Sequence, residues 1–143
     1  MLHGGNYAAN YHDTWEWDGI DWRRLTPNAS PSARKDHGMV TDTIRGRIVL
    51  YGGGGRTDTW EWDGTTWTAL GSGLAGPNGV SVNAIEVFTP AGGTPALYVG
   101  GEFASAGGVA VKSLARWNGT NWSAAGAQLN RNTATVPIVY ALA

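Results

Sequence analysis

Asp58-Thr-Trp60-Glu-Trp62-Asp-Gly64-Thr-Thr-Trp67 sets the reading of the whole 143-residue chain, because nearly the same string stands 45 residues upstream as Asp13-Thr-Trp15-Glu-Trp17-Asp-Gly19-Ile-Asp-Trp22. A third copy, Leu114-Ala-Arg-Trp117-Asn-Gly119-Thr-Asn-Trp122, follows 55 residues after the second and keeps two of the tryptophans and the glycine. All eight tryptophans fall inside these copies. Along 58–63 the residues alternate: Trp60 and Trp62 point to one face, and Thr59, Glu61 and Asp63 to the other, the period of a half-buried strand. Asp63-Gly64 is a hairpin turn signal that delivers the chain into an outer strand over 66–70.

Working outward, a double glycine precedes each copy: His3-Gly-Gly5, Tyr51-Gly-Gly53 and Tyr98-Val-Gly-Gly101. In the middle unit it closes the apolar run Arg47–Tyr51, which reads as a strand buried on both faces. Asp36–Asp42, followed by the Arg45-Gly46 turn, supplies an innermost strand. Units of roughly 40 to 50 residues holding four short strands, with glycine and aromatic punctuation, are propeller blades. The expected fold is therefore all-β, a β-propeller segment of four-stranded antiparallel blades forming one domain over 1–143. A partial blade over 1–27 keeps its last two strands near His12 to Leu25, full blades cover 31–70 and 82–125, and 136–143 opens a further blade. About eleven strands fall short of the four blades that the smallest closed ring needs. Uncovered blade faces expose apolar surface, so self-association or a longer parent chain is expected to close the ring.

Ten basic and eleven acidic residues give a net charge of -1, so no field draws in nucleic acid or an anionic membrane. With no cysteine there is no disulfide framework, thiolate zinc site or cysteine nucleophile. The N-terminus carries no secretory signal pattern, and no stretch approaches the roughly 18 apolar residues of a membrane span. An extracellular or cell-surface location is an expectation for a longer parent only.

At these residues the sequence resembles the kelch-type β-propeller repeat family, to which the central domain of galactose oxidase is related by fold. Arg34, His37, Gly52-Gly53, Asp58-Thr-Trp60 and Trp67 stand in that family's order. Pro95-Ala-Leu-Tyr-Val-Gly-Gly-Glu-Phe103, Ala106-Gly-Gly108 and Ala115-Arg-Trp-Asn-Gly-Thr-Asn-Trp122 are similar to a repeat of large bacterial surface and secreted propellers. The resemblance implies a propeller fold and leaves function open among protein-binding scaffolds, polysaccharide-associated modules and enzymes. Galactose-oxidase-type chemistry depends on a cysteine-crosslinked tyrosine, which a chain without cysteine cannot form.

Several chemical motifs reduce to structure. Gly71-Ser-Gly73-Leu-Ala-Gly76 matches a dinucleotide fingerprint, but Pro77-Asn-Gly79 and a strand pattern follow where a helix is required, so it reads as a loop between blades. Gly64-Thr-Thr-Trp67 supplies only half of a sialidase Asp-box. His3, His12 and His37 have no metal-ligand spacing. Asp13, Asp18, Asp58 and Asp63 sit at repeat positions that turns and strand edges explain. The tryptophans, fixed in every unit, read as wedges between blades rather than as sugar platforms. No catalytic residue, metal or cofactor is expected. Binding belongs on segments that differ between units: Asn6–His12, Gly54–Thr57 and Ala104–Lys112, each joining a second strand to a third and expected to line one face. Tyr7, Tyr11, His12 and Arg56 are their most binding-competent side chains. The expected function is a non-catalytic binding or scaffolding module for a protein or glycan ligand. The alternatives are part of an extracellular carbohydrate-active enzyme whose catalytic residues lie elsewhere, or a surface adhesion repeat.

Overall fold

A computed structural model of the chain describes residues 1–6, 9–77 and 79–125, and within them every regular element is a strand. The expected strand over 136–143 lies outside the described residues. Blade 1 is built from β1 (Leu2–Asn6), β2 (Asn10–Trp17) and β3 (Trp22–Leu25), hydrogen-bonded in that order. Blade 2 is a four-stranded meander of β4 (Gly38–Asp42), β5 (Arg47–Gly53), β6 (Arg56–Trp62) and β7 (Trp67–Ala69). After the short β8 (Leu74–Ala75), blade 3 runs through β9 (Ser81–Phe88) and β10 (Ala96–Glu102). A small hairpin, β11 (Ser105–Ala106) and β12 (Val109–Ala110), interrupts it before β13 (Leu114–Trp117) and β14 (Trp122–Ala124) complete the sheet. These are the antiparallel sheets of propeller-like blades, as the repeat predicts.

The structure departs from the sequence reading at two places. Blade 1 has three strands rather than two, because Leu2 and His3 pair with Trp15 and Thr14 despite the absence of an apolar run at the N-terminus. Ala104–Lys112 is not a free loop: β11 pairs with β8, so the hairpin binds the linker between blades 2 and 3.

Alternation decides how the blades stack. On β5, Val49 and Leu50 are both fully buried but face opposite ways. Leu50 joins Trp62 and Trp67 in a cluster that includes Met1 and Leu25 of the first unit, whereas Val49 joins Leu97, Val99, Phe103 and Trp117 of the third. Each such side chain contributes about 1.5–3 kcal/mol, which is why the central strand of this blade reads as a continuous apolar run.

The hairpin turn is the same device in all three units. The Asp63 carboxylate accepts from the backbone N–H groups of Thr65 (2.8 Å) and Thr66 (2.7 Å), Asp18 does the same for Ile20 and Asp21, and Asn118 for Thr120 and Asn121. These donations, from Thr66 and Thr65 in one turn and Asp21 and Ile20 in the other, hold Asp63 and Asp18 below the usual carboxylate range. The carboxylates at these turns are thus occupied by backbone donors.

Candidate functional site

The repeat places equivalent residues on every blade, so a site shows itself where one copy is solvated and the others are covered. In each unit the two tryptophans that flank the turn pack against one another: Trp17 with Trp22 at 5.5 Å, Trp62 with Trp67 at 5.5 Å and Trp117 with Trp122 at 5.4 Å between ring centroids. The geometry is constant, and the environment is not. Trp62 and Trp67 are 5% and 3% exposed, while Trp17 and Trp22 are 48% and 43% exposed. The reason is visible in the stacking. Trp67 lies against blade 1 and donates its indole N–H to Thr14 Oγ1 (3.1 Å), and Trp122 lies against blade 2 and donates to the Leu70 carbonyl (2.9 Å). These pairs face the preceding blade, and blade 1 has none before it among the described residues.

On that same leading face of blade 1 a cleft of about 340 Å³ opens between Leu2, Gly4, Gly5, Tyr11, Asp13 and Trp22, with Trp15 at its wall. Its counterpart on blade 2 is filled. There Arg34 has no solvent exposure and donates to both oxygens of Asp58 (2.7 Å each) and to the Gly52 carbonyl (2.8 Å), with its Nε held by the Ser32 carbonyl (2.9 Å). Asp58 in turn accepts from Trp60 Nε1 (2.7 Å), as Asp13 accepts from Trp15 Nε1 (2.7 Å). Burial alone would raise Asp58, but hydrogen bonds from Arg34 and Trp60 and the guanidinium charge outweigh it and bring the carboxyl below its usual range. Asp13 has the same tryptophan donor and no cation partner among the described residues. The backbone of Arg34 meanwhile clasps blade 1: its N–H donates to the Tyr11 carbonyl, and its carbonyl accepts from Gly5 N–H, both at 3.0 Å. Gly4 has φ +63°, and a Cβ there would lie 2.6 Å from that carbonyl, so only glycine fits.

Of the four residues that the sequence singles out, Tyr11 lines this cleft and is 43% exposed. His12 is its exposed neighbour on β2. Arg56 occupies the position of Tyr11 one blade on, exposed at the start of β6, with its guanidinium donating to the Ala33 carbonyl (3.2 Å). Tyr7 lies outside the described residues. Asp13, Trp15, Trp17 and Trp22 read from sequence as repeat positions only, and the signal that marks them out is positional: they belong to the first copy, whose leading face has no described neighbour.

Two further clefts are lined by described residues of blades 2 and 3. One of about 320 Å³ between blades 2 and 3 is edged by Arg47, Glu61 and Asp63. Its charges are already matched: Glu61 pairs with Arg45 (3.0 Å) and Arg47 (3.3 Å), and Arg45 also pairs with Asp42. A third, of about 270 Å³, lies between β4 and β9 against Tyr51, whose phenol is pushed up to about 12 by burial and by the Asp58 charge. His3 and His37 sit near one another in the seam between blades 1 and 2, ring centroids 6.1 Å apart. Burial, the neighbouring His37 and Arg34 lower His3 to about 4, and burial with Arg34 lowers His37. Both are neutral wedge residues at pH 7. Among the described residues no group of three or more histidine and acidic side chains is arranged to hold a metal, and no helix is long and apolar enough to cross a membrane.

No family model, curated protein or solved structure matches this chain. The functional reading therefore rests on the residues themselves.

Proposed function

We propose that the chain is a kelch-like β-propeller segment acting as a non-catalytic binding or scaffolding module, and that its ligand is a protein met by the leading face of blade 1 and the adjoining end that carries Tyr11, His12 and Arg56. The observation that carries this reading is the contrast between Trp17–Trp22, open to solvent, and the two pairs of equal geometry that are buried by a neighbouring blade. Surfaces of this kind, aromatic at the centre with a carboxylate and a tyrosine at the rim, have the make-up of protein interfaces. The carboxylates of Asp18 and Asp63 are engaged by backbone donors and that of Asp58 by arginine, which favours binding over acid–base chemistry.

A glycan ligand is the second reading, favoured by the indole faces of Trp15 and Trp22 beside the Asp13 carboxylate, a combination that suits a pyranose ring. Iodide quenching of tryptophan fluorescence separates the two. Soluble cell-wall and storage polysaccharides are expected to leave the accessible fraction of tryptophan unchanged, and the Trp17→Ala, Trp22→Ala double variant is expected to remove most of that accessible fraction. Saturable protection of Trp17 and Trp22 by a polysaccharide would overturn the protein reading and install the glycan one.

A further inference from the structure

Blade 2 shows what the carboxylate position of this repeat can hold, because there it is full, and its occupant is a guanidinium. Arg34 donates from Nη1 to Asp58 Oδ1 (2.7 Å) and to the Gly52 carbonyl (2.8 Å), and from Nη2 to Asp58 Oδ2 (2.7 Å). Trp60 Nε1 donates to that same Oδ2 (2.7 Å), so the carboxylate accepts an indole and a bidentate arginine at once. Blade 1 carries the same acceptors. Asp13 stands for Asp58 and accepts from Trp15 Nε1 at 2.7 Å. Gly4 stands for Gly52 with nearly the same backbone, φ +63° against +64°, and Gly5 pairs with Tyr11 as Gly53 pairs with Arg56. The site is open on blade 1: Trp22 is exposed where Trp67 is buried, and a Cβ at Gly5 would meet nothing within 4 Å, whereas at Gly53 it would lie 2.6 Å from the Lys35 carbonyl. Asp13, Gly4, Trp15 and Trp22 thereby line a cleft of about 340 Å³. Asp13 has no cation partner among the described residues. Arg24, cross-strand from Trp15, neither pairs with it nor lines the cleft, and His3, lowered to about 4, is neutral at pH 7.

We infer that this cleft is a guanidinium site, and that the protein ligand of blade 1 enters it with an arginine side chain, bidentate to Asp13 and within reach of the Gly4 carbonyl. A planar fork of N–H donors serves both carboxylate oxygens and the carbonyl together, as it does on blade 2, whereas the ammonium of a lysine is a point charge without that match. The exposed indole of Trp22 adds an aromatic face on which a guanidinium can stack. The source of the guanidinium is a polypeptide rather than free arginine. On blade 2 the Nε of Arg34 is not held by the blade at all: it donates to the Ser32 carbonyl (2.9 Å), and Nη2 reaches Ser32 Oγ (3.2 Å), both two residues back in the arginine's own segment. An arginine carried in such a turn arrives with its Nε already paired, and the blade has only to supply the carboxylate and the carbonyl. Free arginine brings no such partner.

This inference rests on reading the open face as a protein-binding surface. Protection of Trp17 and Trp22 by a polysaccharide sinks that reading, whereas failure of the arginine probes on a chain that no polysaccharide shields sinks only the guanidinium assignment. The test is proton–nitrogen correlation NMR of the tryptophan indoles of the full chain, titrated with the peptide acetyl-Pro-Ser-Ala-Arg-amide, the sequence that surrounds Arg34. The expected result is a saturable shift of the Trp15 and Trp22 indole signals, since Trp15 donates to the carboxylate that the arginine joins. The same peptide with lysine in place of arginine, and free arginine, are each expected to bind about tenfold more weakly or worse. Asp13→Asn is expected to abolish the shift while the Trp67 and Trp122 indole signals, which report the stacking of the blades, stay in place. Glu16→Gln removes the same charge from the opposite face of β2 and is expected to leave binding unchanged, which separates the site from net charge. Should Asp13→Asn disturb the fold, the three probes on the native chain still decide. An arginine peptide that gives no saturable shift at Trp15, a lysine peptide or free arginine that binds as tightly, or a folded Asp13→Asn chain that binds as the native one does, overturns the inference.

Discussion

Arg34 offers the sharpest test of how one blade is fixed to the next. Its guanidinium is wholly buried and makes two hydrogen bonds to Asp58 and one to the Gly52 carbonyl, while its backbone clasps Gly5 and Tyr11 of blade 1. Arg34→Met keeps the length and apolar stem of the side chain but strands the carbonyl and the carboxylate. A hydrogen bond to a charged group is worth about 1.5–3 kcal/mol, and breaking a buried pair from one side costs about 3–5 kcal/mol. The Asp58 side chain is 35% exposed, so water recovers part of the ionic contribution, and we expect a loss of about 3 kcal/mol. With a urea slope of about 2 kcal/mol per molar, the unfolding midpoint falls by about 1.5 M. Asp58→Asn leaves the guanidinium buried with a weaker acceptor and is expected to cost a comparable amount. The double variant is expected to cost less than the sum by more than about 1 kcal/mol, since both changes remove one interaction. The depressed carboxyl of Asp58 adds a pH signature. Its stabilisation is present above the usual carboxylate pKa and is lost as pH falls through the lowered folded-state value, so the native protein loses more stability below about pH 4 than Asp58→Asn does. The readout is urea unfolding followed by tryptophan fluorescence at a fixed, dilute chain concentration. Single variants within about 1 kcal/mol of native, or strictly additive ones, would refute the idea that this pair latches the blades.

The tryptophan repeat makes a second prediction: Trp67→Ala, which empties a buried site and removes the donor to Thr14, costs about 3–5 kcal/mol, whereas Trp22→Ala at the equivalent exposed position costs under about 1 kcal/mol in the dilute monomer. Equal costs in urea unfolding would contradict the stacking of Trp67 on blade 1. His3 makes a third. Its folded pKa of about 4 lies below its ordinary 6.5, so the unfolded chain binds the proton first, and stability that is full above pH 6.5 falls as the pH drops toward 4. The loss is on the order of 3 kcal/mol, and His3→Gln is expected to flatten that part of the pH–stability curve. Gly5 and Gly53 make a fourth: both have positive φ, but only Gly53 is crowded by backbone, so Gly53→Ala is expected to lower the thermal midpoint of the dilute chain well beyond Gly5→Ala.

The parts of this fold that are legible in the sequence are those in which neighbours in the chain are neighbours in space. The alternation of Trp60 and Trp62 with Thr59 and Glu61, the Asp-Gly turn and the doubly buried run ending at Tyr51 each need only local information, and each forms the strand or turn expected. What escapes a sequence reading is decided by contacts between units. β1 is a strand because β2 is there to pair with it, not because Met1-Leu-His-Gly-Gly favours one. The β11–β12 hairpin has little apolar patterning of its own and is fixed by its ladder to β8. Blade 3 carries that hairpin and has no counterpart, among the described residues, of the latch seen on blade 2. Ser113 and Leu114 stand where Asp58 and Thr59 would, so no carboxylate remains for an arginine, and the linker from blade 2 is tied down instead through β8. Blade 1 carries the carboxylate, the tryptophan that donates to it and, at Gly5, open space within 4 Å of where a Cβ would stand. On blade 2, that same combination is occupied by an arginine and the segment behind it. Asp13 thus has the position and the tryptophan donor of Asp58 without an arginine among the described residues, whereas blade 3 has a serine there.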